Sequence, residues 1–203
     1  MIDTTQVLDR LLPDLHTDSY ANLTFWTQAQ LIRYLDEGAK RLSNKAMLFV
    51  ERDTSQATVP GTPTYTLPDR HNDTLHVSCG AAPLRPSTTI ELESRDPAFQ
   101  TTPGTPDHWY EDNGPVSAIG LSPVPAAAAT LAMICSVHPP DLDVDRVNTL
   151  LQAPAPVSIY LEYFVLAKAY GAESESEEPD LAQHCAAQVA MLEQIFAHLY
   201  GGA

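Results

Sequence analysis

Fifteen of the seventeen prolines in this 203-residue chain lie between Pro60 and Pro156, leaving Pro13 and Pro179 outside that span. Proline fixes φ, removes a backbone donor and clashes inside a helix, and in sheets it is confined to edges and bulges. The middle of the chain is therefore built of turns, loops and short strands, and long helices can form only on either side of it. This layout predicts an α+β fold: a helical bundle formed by the N- and C-terminal helices with an inserted small antiparallel β-module. The expected division is 1–57 and 141–203 for the helical domain and 58–140 for the β-rich module, within a length that can bury a sizeable core.

The flanks carry helical spacing. Asp3 or Thr4 caps a first helix with Val7, Leu8, Leu11, Leu12 and Leu15 on one face, which Pro13 ends or kinks. Thr27, with Gln30 three residues on, opens a second helix whose apolar stripe is Leu31, Leu35, Gly38, Leu42, Ala46 and Phe49, with Trp26 placed as a hydrophobic staple. Beside that stripe stand Arg33, Lys40, Arg41, Lys45 and Arg52, nearly half of the eleven basic residues. Val144 to Leu151 has a weak helical period. Val157 to Tyr170, between Pro156 and Gly171, is apolar on nearly every side and reads as a buried central helix. A last helix after Pro179 sets Leu181, Cys185, Val189, Leu192, Ile195, Phe196 and Leu199 on one face and stops at Gly201-Gly202.

Between the flanks the period changes to that of strands. Tyr65-Thr66-Leu67-Pro68 alternates and stops, Thr74 to Cys79 alternates again, and Cys79-Gly80-Ala81-Ala82-Pro83 reads as a hairpin turn. Ser87 caps a segment to Ser94 that fits helix or strand. His108 to Glu111, Val116 to Leu121 and Thr130 to Val137 are further strands, giving one small antiparallel sheet. Arg52 to Pro63 and Ala172 to Pro179 read as loops that a partner orders on assembly.

The net charge of −15 excludes non-specific grip on nucleic acid, which needs lysine and arginine to displace counterions from phosphate. Cys79, Cys135 and Cys185 are isolated and odd in number, as in a protein of a reducing compartment. The start Met1-Ile2-Asp3-Thr4 lacks the features of a signal peptide, and the most apolar stretch contains Glu162 and Lys168, so a soluble protein made in the cytosol without membrane insertion is expected. The seven histidines show no metal-ligand spacing, no nucleophile or nucleotide-binding string occurs, and no cofactor or metal is expected. Glu91 with Glu93, and Glu111 with Asp112, are adjacent acids of the kind found on solvated strands and turns; as paired carboxylates they would serve glycoside cleavage.

Taken in order, several landmarks resemble the head-to-tail connector adaptor proteins of tailed bacteriophages. They are the helix Leu31 to Leu42; Tyr65-Thr66-Leu67-Pro68; Leu84 to Leu92; Gly104-Thr105-Pro106 with Trp109-Tyr110; Ile119-Gly120-Leu121-Ser122-Pro123-Val124-Pro125; and Leu166-Ala167-Lys168-Ala169-Tyr170. The likeness runs from about Thr27 to Leu199. Asp96-Pro97-Ala98-Phe99 departs from it, since many relatives carry an aromatic residue directly after the Asp-Pro step. The short tail after Leu199 departs too.

The resemblance implies a non-enzymatic virion structural protein at the head–tail junction. It would form a homo-oligomeric ring of twelve under the portal protein, extending a DNA channel that DNA crosses without specific binding and docking a tail nozzle or tail-completion protein. A ring needs two different contact surfaces on each subunit. The basic residues Arg33, Lys40, Arg41 and Lys45 and the acidic Glu173, Glu175, Glu177 and Glu178 are candidates for them, and Trp109 and Tyr110 are either an aromatic anchor or module core. The alternatives are a tail-associated cell-wall glycosidase and a carbohydrate- or protein-binding β-module.

Overall fold

The structure, a computed structural model, describes residues 2–15, 25–112, 118–142, 150–151, 154–172 and 178–201. Along the chain the elements are β1 (Ile2–Asp3), α1 (Thr4–Asp14), α2 (Gln28–Lys45), β2 (Val50–Ala57), β3 (Thr64–Thr66), β4 (His71–Cys79), β5 (Ala82–Pro83), β6 (Arg85–Pro86) and α3 (Thr89–Arg95). They continue with β7 (Pro103–Gly104), β8 (His108–Asp112), β9 (Ala118–Ser122), β10 (Val124–Pro125), β11 (Thr130–Val137), β12 (Leu150–Leu151), α4 (Val157–Tyr170) and α5 (Pro179–Tyr200). The fold is mixed α+β. Two compact units divide it, Met1–Phe49 with His138–Ala203, and Val50–Val137.

In the first unit α4 packs against α1, α2 and α5. Val7, Leu8, Leu11 and Leu12 of α1 are buried, and Pro13, which cannot donate to the carbonyl four residues back, stands in the last turn, one residue before the helix ends at Asp14. The start of α2 is a reciprocal capping box: Thr27 Oγ1 accepts from the Gln30 N–H at 3.2 Å while Gln30 Oε1 accepts from the Thr27 N–H at 2.7 Å. The helix ends at Lys45, where Ala46 turns extended; Phe49, expected on its stripe, is buried but lies beyond the helix. At Gly38 a Cβ would stand 2.8 Å from Phe164 Cδ1, so glycine lets α2 approach α4 closely. Trp26 is buried, donates Nε1–H to the Ala169 carbonyl at 3.2 Å and meets Tyr170 edge-on, which ties the start of α2 to the end of α4. Leu150–Leu151, read as the end of a weak helical period, instead pair antiparallel with Ile2–Asp3; the rest of that period lies outside the described residues.

The second unit holds two four-stranded sheets, ordered β2-β11-β4-β5 and β3-β9-β8-β6, and a short pairing of β7 with β10. This replaces the single small antiparallel sheet, and the β6–β8 and β7–β10 pairings are parallel. Pro83, Pro86, Pro103 and Pro125 each sit in a two-residue strand, so proline cuts the ladders short as the sequence requires. β11 spans the expected residues and buries Leu131, Met133, Cys135 and Val137 in alternation. β2, expected as the helix end and a loop, is a strand with no buried residue. Its Val-Glu-Arg-Asp-Thr-Ser-Gln-Ala lacks apolar alternation because neither face enters the core. The β4–β5 turn falls on Gly80 at φ +61°, as the hairpin reading requires.

Candidate functional site

The expected basic stripe of α2 folds into ion clusters rather than standing free. Lys40 Nζ lies 2.7 Å from Asp36, one turn earlier, and 2.5 Å from Asp141. Glu193 of α5 reaches the same helix further on, accepting from Arg41 Nε at 2.6 Å, from Lys45 Nζ at 2.5 Å and from the Tyr160 hydroxyl at 3.2 Å. Its side chain is only 4% exposed, whereas those of Arg41 and Lys45 are about half exposed. Burial alone would push the Glu193 carboxyl up, but the hydrogen bonds and charges of Arg41 and Lys45 outweigh it and hold the group below the usual glutamate value. Burial, together with the Glu193 charge, pushes the Tyr160 phenol well above its ordinary value. The hydrogen bonds it donates to Asp141 and then Asp36 raise Lys40, and the one it donates to Glu193 raises Arg41.

The clusters nearly cancel in charge. Arg41 and Lys45 against Glu193 leave one positive charge, and Lys40 against Asp36 and Asp141 leaves one negative charge. Arg33 is exposed on the same helix. Arg52 stands on β2, in the other unit, and does not extend the stripe. On the acidic side Glu178 is exposed immediately before α5, and Glu173, Glu175 and Glu177 lie outside the described residues.

Another surface of the same unit escaped sequence reading. α5 buries Cys185, Val189, Glu193 and Phe196, but Leu181, Met191, Ile195 and Leu199 are between 37% and 64% exposed. The expected apolar face is thus split, part core and part surface. From Leu181 to Tyr200 the sole acidic residue is Glu193, which is buried, and the sole basic ones are His184 and His198. The signal was present as an absence: a helix in a chain of this charge with no lysine, arginine or aspartate over twenty residues.

In the second unit Trp109 and Tyr110 are core residues. Tyr110 pairs across strands with Gly120, where any Cβ would fall inside the tyrosine ring, so the ring covers the glycine. Phe99 meets Tyr110 edge-on with ring centroids 5.4 Å apart and shares its cluster with Leu92. Two of the landmarks, Trp109-Tyr110 and Ile119-Gly120-Leu121, form one packing unit.

The adjacent acids have local tasks. Thr88, rather than Ser87, caps α3, and Glu91 completes its capping box while also accepting from Ser87 Oγ at 3.0 Å. Hydrogen bonds from the Thr88 N–H and Ser87 hold Glu91 below the usual value, the direction opposite to that of a general acid. Glu111 lies 3.8 Å from His71 Nε2. Burial raises the thiols of Cys79 and Cys185 and pushes Cys135 up to about 11, away from reactivity. Among the described residues no three histidine, cysteine or acidic groups gather as metal ligands, and no helix is long and apolar enough to cross a membrane.

Surfaces of clustered charge and exposed apolar helix on a two-unit α+β scaffold are features of proteins that assemble with others. The SU10 adaptor protein family matches residues 3–200, and the chain belongs to that family. Membership agrees with the ordered landmarks and implies a structural adaptor of bacteriophage, working with portal and tail proteins in the virion. The chain has no match among curated proteins.

Proposed function

We infer that this protein is a head–tail connector subunit that assembles as a ring of twelve beneath the portal, extends the DNA channel and docks the next tail component. The family match across residues 3–200 carries the reading. The helices α1, α2, α4 and α5 act as a bundle that forms the ring and meets the portal, and the β unit is the tail-facing module. Charge supports the channel: a chain of −15, repeated around a ring, repels phosphate and lets packaged DNA slide rather than stick. Arg33 on one side and the acidic segment containing Glu173 to Glu178 on the other supply opposite charges that favour association rate and register. Trp109 and Tyr110 support the tail-facing surface from within.

Negative-stain imaging of the purified chain mixed with its cognate portal protein tests the reading. Portal rings capped by an added twelvefold layer are expected. Absence of any ring or portal complex at low and moderate salt overturns it.

A further inference from the structure

We propose that the exposed, uncharged stripe of α5, Leu181, Met191, Ile195 and Leu199, is the surface on which a neighbouring copy of this chain packs. This rests on the ring reading and assigns its subunit contact to a place that the charged residues of α2 do not occupy.

The first argument is composition by place. A soluble helix normally sends its charges to water and its apolar groups to the core. α5 does the reverse over Leu181 to Tyr200, burying Glu193 and exposing Met191, Ile195 and Leu199 in successive turns on one side, with Leu181 on the same side beyond His184 and Gln188. Single exposed apolar residues need no account, but three in successive turns of one helix mark a contact surface.

The second argument selects the occupant. A stripe without lysine or arginine has no attraction for nucleic acid or for an anionic lipid surface. Two copies of a chain carrying −15 repel across most of their surfaces, and an uncharged strip is where they meet without that cost. A ring also requires a second, different surface on each subunit. Phe25 and Ile159, each 48% exposed, are further large apolar groups of the same unit outside α5. The cations of α2 are already engaged by Glu193, Asp36 and Asp141, which leaves them little to offer a neighbour.

Mass photometry and negative stain of the full chain, alone and with the cognate portal, test this with Ile195→Glu, Leu199→Glu, the milder Ile195→Ser and the control Ile90→Glu, a 77% exposed apolar residue on α3 of the other unit. Circular dichroism and thermal melting establish that each variant is folded. The expected result is that both glutamate variants lower the assembled fraction by ~tenfold or more and Ile195→Ser by less, as for a desolvated apolar contact. Ile90→Glu assembles like the parent, and assembly of the parent survives salt that screens surface charge. Folded α5 variants that assemble like the parent overturn the inference while the ring reading stands. Variants that form rings but fail to seat on the portal overturn the choice of a second copy as occupant. A parent chain that assembles under no condition overturns the ring reading itself and the inference with it.

Discussion

The helices α4 and α5 are both strongly apolar and lie side by side, yet they use their side chains in opposite ways. α4 buries Val157, Tyr160, Leu161, Phe164, Val165, Leu166, Ala169 and Tyr170, and its two charged residues sit at its margins, Glu162 paired with Arg10 and Lys168 with Glu37. α5 draws Glu193 inward and leaves leucines, an isoleucine and a methionine outside. Hydropathy measures what a helix contains; neighbours decide what it buries. Around α4 this chain supplies neighbours on three sides, whereas one side of α5 is left for something else to cover.

The comparison breaks first if α4 proves dispensable. Leu161→Ala is expected to cost about 3 kcal/mol, because it removes a fully buried side chain between helices and leaves a cavity. Urea unfolding followed by far-ultraviolet circular dichroism measures it, and a loss below about 1 kcal/mol would show that α4 is not the centre of its unit.

Glu193→Gln comes next, at about 2 kcal/mol, since it leaves Arg41 and Lys45 facing a neutral amide beside the buried Tyr160 hydroxyl. The same cluster sets a pH dependence. A carboxyl depressed in the folded state stabilises the protein above its unfolded value, about 4.5, and that contribution is lost as pH falls through the lower folded value. Thermal melts should therefore show the parent losing stability below about pH 4.5 more steeply than Glu193→Gln, and parallel curves would mean that the cluster contributes nothing.

Gly38→Ala is smaller, about 1 kcal/mol, because the added methyl reaches Phe164 and the α2–α4 pair must part slightly. Leu199→Ala should lie within about 0.5 kcal/mol of the parent when the chain is unassembled. A larger loss in the same urea titration would show that the outer face of α5 is packed within the chain after all.

Helices with local punctuation were legible in the sequence. Thr27 with Gln30 fixed the start of α2, and Pro156 and Gly171 bracketed α4, because caps and breakers act through backbone groups a few residues away. β11 was legible for a similar reason, its buried residues alternating along eight positions. What escaped notice depends on partners remote in the chain. The stripe of Lys40, Arg41 and Lys45 looked free because Asp141 and Glu193, which engage it, lie 101 to 152 residues further on. β2 left no pattern because a strand held by backbone pairing to β11, with both faces open, needs no apolar period. Leu181, Ile195 and Leu199 have the spacing of a core face, and only the position of α4 shows that half of that face has no cover. Trp109 and Tyr110 could be weighed as anchor or core but not decided, since Gly120, which makes room for the ring, is a cross-strand neighbour rather than a local one.

The chain has two tryptophans, and each unit holds one: Trp26 packed on Tyr170 in the helical unit, and Trp109 in the β unit. This gives the protein a built-in pair of optical reporters. A Trp109→Phe variant would fluoresce from the helical unit alone and a Trp26→Phe variant from the β unit alone. Their melting curves, compared with each other and then repeated in the presence of portal, would show which unit a partner holds and whether the two lose their folds as one body or in turn.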